Sequence, residues 1–132
     1  MSNDSMYADI ILDYYKNPRN YGKLDNADSI ARDINPLCGD EIEMQIKVND
    51  SKISQIKFDG HGCAISQATA SMLTEFVMGK TLDEIKEISK DDVLDLLGVT
   101  LSHVRIKCAL LSLKVLKLAI YQYLGQKMEE EA

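Results

Sequence analysis

The sequence predicts an α+β fold in which a small antiparallel sheet comes first and helices follow it. Two observations support this prediction. Apolar and polar residues alternate from Glu41 to Val48, as in a strand with one buried face. After Gly62 the apolar residues recur at helical spacing, and this continues for most of the remaining chain. The length of 132 residues suits one domain, so we expect a single domain over 1–132.

The N-terminal region predicts a helix and then a short strand. Residues 5–16 place four apolar side chains at helical spacing, and Asn17-Pro18 ends the pattern. The four apolar positions are Met6, Ile10, Ile11 and Tyr14. A turn-rich stretch follows, and residues 29–35 are typical of a short strand before a proline.

The alternating segment predicts the first strand of a hairpin. Its apolar side chains would face the core, and the polar residues between them would face water. The turn residues Asn49-Asp50-Ser51 come next, and Lys52 to Phe58 returns as the second strand. The core-facing residues would be Ile42, Met44, Ile46 and Val48.

Four helices are predicted after the hairpin. A long one begins near Ala64 and is capped by Gly79. Its predicted apolar face contains Ile65, Ala68, Thr69, Met72, Leu73, Phe76 and Val77. Thr81 and Glu84 form a capping-box pattern that opens a short helix through Ile88.

The last two helices follow the same logic. Ser89 and two acidic residues start a helix that Gly98 ends. The final helix is expected from His103 to Leu124, with Gly125 ending it and 128–132 as a frayed tail. Its apolar stripe would consist of Ala109, Leu113, Leu116, Ile120 and Leu124.

Charge and hydropathy argue against several functional classes. The formal net charge is −6, and the basic residues are scattered, so we expect no nucleic-acid partner. No apolar run approaches the roughly 20 residues of a membrane span, so we expect no membrane partner. A signal peptide has positively charged residues followed by an apolar run, and the first residues of this chain have neither. We therefore expect a cytoplasmic protein, which the odd number of cysteines also favours.

The three cysteines are the principal candidates for chemistry. Cys38, Cys63 and Cys108 cannot all pair as disulfides, and they are too widely spaced for a zinc knuckle. Each lies near the junction of a loop with a predicted element, where functional side chains concentrate. A shared site would need a fourth ligand, and Asp40, His61 and Lys107 are the neighbouring candidates.

The surroundings of the cysteines favour reactive, metal-binding thiolates. Gly39 allows an unusual backbone angle that would turn Cys38 and Asp40 toward one centre. The start of a helix would stabilise negative charge on Cys63, and Arg105 and Lys107 would do so for Cys108. Several thiolates select zinc or iron–sulfur chemistry over magnesium or calcium, and both occupants remain open.

Several motifs resemble one family of iron–sulfur scaffolds, known as IscU, SufU or the NifU N-terminal domain. Together these motifs cover the chain from about Tyr7 to Leu124. The three that contain the cysteines are Asn35-Pro36-Leu37-Cys38-Gly39-Asp40, Gly60-His61-Gly62-Cys63-Ala64-Ile65-Ser66 and Arg105-Ile106-Lys107-Cys108. The others are Tyr14–Gly22, Ala68–Glu75 and Val77–Lys80.

The resemblance implies a three-stranded antiparallel sheet packed against helices, with the site at one exposed end. It implies that Cys38, Asp40, Cys63 and Cys108 hold a transient [2Fe–2S] cluster or Zn²⁺. Sulfur would come from a PLP-dependent cysteine desulfurase, and finished clusters would pass to carriers or apo-proteins. The function implied is scaffolding rather than enzymatic catalysis. Cys108 is our candidate for the first persulfide acceptor, because two positive residues are close to it in sequence.

Within that family the sequence has mixed features. Lys107 resembles SufU members, whereas the short segment from Lys80 to Lys107 resembles IscU members. The IscU chaperone-recognition segment Leu-Pro-Pro-Val-Lys is replaced by Leu101-Ser102-His103-Val104-Arg105, which argues against a dedicated Hsp70 partner. The alternative function is therefore a SufU-like zinc-dependent sulfur acceptor, with sulfurtransferase activity. A purely structural zinc module is a third possibility, which the glycine-flanked cysteines disfavour.

Overall fold

The computed structural model describes residues 3–37 and 39–131, and it confirms an α+β fold. Helix α1 comes first, then three strands, then four further helices. The strands are β1 (Ser29–Ile34), β2 (Glu41–Asn49) and β3 (Lys52–His61). The helices are α1 (Asn3–Lys16), α2 (Ala64–Val77), α3 (Leu82–Lys86), α4 (Lys90–Leu97) and α5 (His103–Glu131).

The three strands form one antiparallel sheet in the order β1-β2-β3. The β2–β3 hairpin turns at Asp50 and Ser51, whose φ angles of 56° and 61° are those of a type I′ turn. β3 continues three residues beyond the predicted end at Phe58, because Asp59, Gly60 and His61 pair with the first residues of β2. This extension brings the end of β3 beside the start of β2, where Asp40 lies.

The main core lies between one face of the sheet and helices α2 and α5. The strands contribute apolar side chains that are fully buried, as the alternation predicted. These strand residues include Ile42, Met44, Ile46, Ile56 and Phe58, and the facing helices contribute Leu73, Val77, Leu116 and Ile120. Burying these side chains is the main favourable contribution to folding, at roughly 25 cal/mol per Å² of apolar surface.

The other face of the sheet is less exposed than the alternation predicted, and this part of the prediction is wrong. Glu41 and Gln45 of β2 are only 8% and 3% exposed. Gln45 accepts a hydrogen bond of 2.7 Å from the backbone N–H of Leu24, which covers it. Glu41 forms an ion pair with Arg32, and its Oε1 lies 3.3 Å from Nε2 of His61. Polar residues on a strand can thus be buried when a loop and cross-strand charges satisfy them.

The helix starts agree with the sequence analysis. Thr81 and Ser89 each accept a hydrogen bond from the backbone N–H three residues later, and both capping boxes are complete. Helix α3 ends at Lys86, two residues before the expected end, and α4 ends at Gly98 in the left-handed conformation. The capping residues therefore predicted where these two helices start.

The end of the last helix differs from the prediction. Gly125 does not end α5, which continues to Glu131. Gly125 does not have a positive φ, and the residues after it are good helix formers, so the helix continues through it. Fraying of 128–132 stays a prediction, and Ala132 lies outside the described residues. The predicted apolar stripe from Ala109 to Ile120 is buried.

The first helix is amphipathic in part. Of the four apolar residues at helical spacing, Ile11 is buried and Tyr14 is half-buried, whereas Met6 and Ile10 are exposed. Among the described residues, no helix has the length and apolar character needed to cross a membrane.

Candidate metal centre

Asp40 lies in a tight loop immediately before β2. The backbone N–H of Asn35 donates to the carbonyl of Asp40 at 2.8 Å, and that of Gly39 donates to the carbonyl of Asn35 at 2.7 Å. Gly39 has φ of 73°, which confirms the unusual angle expected there. The loop buries the Asp40 side chain, which is 1% exposed. A buried carboxylate needs strong partners, so its neighbours are functionally informative.

Cys63 is the N-cap residue of α2 and a direct neighbour of Asp40. Its backbone N–H donates to Oδ1 of Asp40 at 2.9 Å, and its Sγ lies 3.5 Å from Oδ2. The thiol is half-buried, so it remains accessible from outside. The predicted position at the mouth of the long helix is thus confirmed.

Gly62 makes this contact possible. A Cβ atom at Gly62 would lie 2.2 Å from Oδ1 of Asp40, far inside van der Waals contact. Gly62 also has φ of 150°, a conformation that other residues rarely adopt. The glycine before Cys63 therefore serves the carboxylate as much as the thiol, a role that sequence reasoning missed. The signal was the pair of glycines around His61, which marks a close approach of backbone.

Cys108 completes the cluster from α5. One ligand atom each from Asp40, Cys63 and Cys108 lies within 4.8 Å of the other two. Cys108 is fully buried within the second turn of α5, near the helix start where it was expected. The structure therefore brings together three of the four predicted ligands, from three separate segments. Cys38 lies outside the described residues, and its part in the site stays a prediction.

Arg105 is the positive residue that reaches the sulfurs. The thiolate of Cys63 raises the pKa of Arg105 by charge attraction and by a hydrogen bond, and Cys108 does so to a lesser extent. Arg105 and Cys108 are three residues apart on α5 and so share one face of the helix. The guanidinium is exposed, so it lies at the open side of the cluster.

The other polar candidates lie elsewhere. Nε2 of His61 is 3.3 Å from Oε1 of Glu41, and the side chain is 74% exposed. Lys107 is exposed and lines a groove with Asn35, Pro36 and Lys114. Of the three candidates for the fourth ligand, only Asp40 joins Cys63 and Cys108 in the described part of the chain.

The donor set fits a thiophilic metal. Two sulfurs and one carboxylate oxygen suit zinc or iron, whereas calcium and magnesium require mostly oxygen ligands. Zinc in a tetrahedral site and a [2Fe–2S] cluster each take four ligands from the protein. With these three donors present, either one would need a single further ligand. Cys38 is two residues before Asp40 in the sequence and is the predicted source of a further thiolate. The residues present therefore fit either occupant.

Comparison with known proteins gives a consistent result. The family model for the NifU-like N-terminal domain matches residues 6–130. The chain is 42% identical to the "iron-sulfur cluster assembly scaffold protein IscU 1" of Archaeoglobus fulgidus, over 89% of this chain and 76% of that protein. It is 41% identical to the "zinc-dependent sulfurtransferase SufU" of Bacillus subtilis, over 86% of this chain and 88% of that protein.

Solved structures show the same fold. A candidate iron–sulfur cluster assembly scaffold protein for the SUF system from Fervidobacterium islandicum has a TM-score of 0.75 at 32% identity. The match covers 90% of this chain and 99% of that one. A NifU-like N-terminal domain from Brucella abortus has a TM-score of 0.76 at 22% identity, covering 98% of both chains. The second likeness concerns the fold alone.

Proposed function

We propose that this chain, which belongs to the NifU-like N-terminal domain family, is a scaffold on which [2Fe–2S] clusters are assembled and from which they are transferred. The observation that carries the proposal is the meeting of Asp40, Cys63 and Cys108 within 4.8 Å of one another. Relatives named as iron–sulfur cluster assembly scaffolds, at 42% and 38% identity, support it. Sulfur would come from a PLP-dependent cysteine desulfurase, and acceptors would be carriers or apo-proteins.

A scaffold must bind its cargo without retaining it, and the site has features that serve both needs. Cys38, Cys63 and Cys108 would supply thiolates, which bind iron tightly. Asp40 would supply a carboxylate, which is a poorer ligand than thiolate for the irons of a cluster. The half-buried position of Cys63 gives donors and acceptors access to one side of the site.

Sulfur delivery requires one thiolate of the chain to attack a persulfide on the donor. The thiolate forms a bond to the outer sulfur, the donor's S–S bond breaks, and the donor cysteine leaves as a thiolate. The sequence favours Cys108 as the acceptor, but that side chain is fully buried whereas Cys63 is half-buried. Between these two, accessibility favours Cys63. Mass mapping of the persulfidated peptide after one turnover distinguishes the two residues.

The second candidate function is zinc-dependent sulfur transfer. The cluster of sulfurs and a carboxylate also suits zinc, and the SufU relative is named for this activity. Bound zinc would keep the thiolates deprotonated and oriented. Arg105 would then lie beside the thiolate that accepts sulfur, and Lys107 would be an auxiliary positive charge nearby in sequence.

Anaerobic reconstitution separates the two functions. The full chain is incubated with ferrous iron, cysteine and a cysteine desulfurase, and then offered to an apo-ferredoxin. We expect a visible absorption band with two irons and two sulfides per cluster, and transfer of that cluster to the ferredoxin. Tight zinc binding, stimulation of the desulfurase and no transferable cluster would instead establish the sulfur acceptor.

Replacing Asp40 tests the proposed lability of the site. We expect Asp40→Ala and Asp40→Cys to slow cluster transfer, because each removes the weak ligand. Transfer is followed by the appearance of the holo-ferredoxin spectrum. Asp83→Ala is a matched control, because Asp83 is an exposed carboxylate in α3 with no part in the site. Unchanged transfer from both Asp40 variants would show that the carboxylate does not set the release rate.

A further inference from the structure

The α1–α2 groove lies where helices α1, α2 and α4 meet, and it is distant from the candidate metal centre. It is lined by Ile10, Tyr14, Met72, Glu75, Phe76 and Leu96. Phe76 lies 13 residues after Cys63, the N-cap of the same helix, which corresponds to about 20 Å along the helix axis. A molecule bound in this groove would therefore leave the metal centre open.

The groove has apolar side chains at helical spacing on both of its long sides. Met6 and Ile10 are one turn apart on α1 and are 57% and 38% exposed, although the neighbouring Ile11 is buried. Met72 and Phe76 are likewise one turn apart on α2, and Phe76 is 38% exposed. Apolar rows at this spacing normally face a core, so exposed rows on two adjacent helices mark a surface for packing.

Carboxylates surround this apolar surface. A second hollow shares Phe76 with the groove, and its other lining residues are Lys80, Glu84, Glu87, Ile88 and Asp92. Glu75 accepts a hydrogen bond from the hydroxyl of Tyr14 at 2.6 Å, and Glu84 and Asp92 accept theirs from backbone N–H groups. Glu87 forms no ion pair with any residue that the structure describes. The hydrogen-bond donors named here are neutral, so they leave the negative charges in place.

Two lysines lie near these four carboxylates. Nζ of Lys80 lies 4.7 Å from the centroid of the Phe76 ring. The pKa of Glu84 is below its ordinary value because of hydrogen bonds with Thr81 and, to a smaller extent, attraction to Lys80 and Lys52. Four negative side chains against these two positive ones make the two hollows acidic, and an acidic surface attracts a basic partner.

We propose that the α1–α2 groove and the adjoining hollow bind a basic amphipathic helix of a partner protein. The walls are helices, whose backbone groups are bonded within each helix, so no strand edge is available for an extended peptide to join. A helix can instead place apolar side chains at i and i+4 beside Phe76 and direct lysines or arginines to Glu75 and Glu87. The inference rests on this surface alone, and it does not require the proposed scaffold function.

A synthetic peptide tests the charge and shape of the proposed partner. The probe is a fluorescein-labelled helix of about 14 residues, or about four turns, with leucines along one face and lysines elsewhere. The control peptide has glutamate in place of every lysine. We expect the fluorescence anisotropy of the basic peptide to rise on titration with the full chain, and that of the acidic peptide to stay constant.

Variants of the chain test the position of the bound peptide. We expect Phe76→Ser and Glu87→Lys each to raise the Kd by about tenfold or more, because one removes the central apolar contact and the other reverses a facing charge. The matched controls are Tyr121→Ser, at an aromatic residue 55% exposed on α5, and Asp25→Lys, which makes the same change of charge. Neither control residue lines the two hollows. Circular dichroism shows that each variant remains folded.

Methyl NMR of the methionines locates the peptide directly. We expect the methyl signal of Met72, in the groove, to shift on binding, and that of Met128, 71% exposed on α5, to stay in place. Binding that both groove variants leave unchanged, equal binding of the acidic peptide, or no binding up to about 1 mM would overturn the proposal. Self-association of the chain that Phe76→Ser abolishes, seen by sedimentation velocity, would assign the groove to a second copy and would also overturn it.

Discussion

Asp40 and Gly62 show how one missing side chain can create a site. The carboxylate of Asp40 lies where a side chain at position 62 would otherwise be, and there it accepts the backbone N–H of Cys63. That hydrogen bond places the carboxylate against the thiol of the same residue. The donor set therefore depends on a residue that contributes no ligand atom.

We expect Gly62→Ala to abolish tight zinc binding, because the new methyl group would displace the Asp40 carboxylate. Zinc content after dialysis against a chelator measures the effect. Gly22→Ala is the matched control: Gly22 has a similar φ of 129°, and a Cβ atom there meets nothing within 4 Å. If both variants lose zinc equally, backbone strain rather than the clash with Asp40 is responsible.

Arg105 and Lys107 looked equivalent in the sequence, and the structure separates them. A helix places residues three apart on one face, so Arg105 shares a face with Cys108 and Lys107 does not. We expect Arg105→Ala to slow sulfur transfer from a desulfurase by about tenfold, because the guanidinium attracts the anionic persulfide toward the thiols. Arg105→Lys should retain part of the rate, because it keeps the charge without the planar fork.

The measurement for Arg105 is persulfide formation on the chain over time, by mass spectrometry. Lys114→Ala serves as the control, because it removes one positive charge from the same helix near Asp33. Equal rates in the wild-type chain and Arg105→Ala would show that the guanidinium does not guide the incoming sulfur.

At the scale of elements, local chemistry decided which boundaries were predictable. Both capping boxes act within four residues, and the structure contains both. Gly125 was expected to end α5, but a glycine ends a helix only where the chain needs to leave it. The polar face of β2 was expected to face water, yet Gln45 is buried and bonded to the backbone of Leu24, which lies 21 residues earlier in the chain. The alternation of polar and apolar residues along a strand does not show whether a distant segment of the chain covers the polar face.

The cap of α4 gives a prediction at this scale. We expect Ser89→Ala to lower the free energy of unfolding by about 1 kcal/mol, because the backbone N–H of Asp92 loses its acceptor. Urea denaturation measures the change. Asp95→Ala, at an exposed position of the same helix, should have a smaller effect. A midpoint that Ser89→Ala leaves unchanged would mean that water replaces the cap without loss.

At the scale of the whole molecule, a second, smaller core supports the site. Ile11, Ala68, Met72, Leu97 and Ala109 form it, joining α1 and the end of α4 to α2 and α5. Ala109 directly follows Cys108, and Ile65, which packs against the cluster, is two residues after Cys63. The first helix therefore packs against the same segments that present the two thiols.

We expect Ile11→Ala to destabilise the chain by about 2–4 kcal/mol through the cavity that it leaves. We also expect it to speed alkylation of Cys108 in the metal-free chain, because the small core that adjoins this residue is loosened. Ile85→Ala is the matched control, because it makes the same substitution at a buried residue of the main core. Equal acceleration by both variants would mean that Cys108 is exposed only by global unfolding.

The candidate site was predictable in its membership more than in its arrangement. Asp40, Cys63 and Cys108 could be selected because each lies in a short polar or glycine-flanked stretch near an element start. The full burial of Cys108 and the closeness of Asp40 to Gly62 could not be predicted, because they depend on how α5 and the β2 loop pack together.

The three ligands lie 23 and 45 residues apart along the chain. A metal ion bound between them would join the β2 loop, the start of α2 and the start of α5, much as a disulfide joins two segments. Such a cross-link would stabilise the folded chain by RT ln(1 + [L]/Kd), about 2.7 kcal/mol at a free metal concentration of 100 Kd. Loading and global stability are thus thermodynamically linked. Removal of a bound metal would therefore leave a chain that unfolds at a lower temperature.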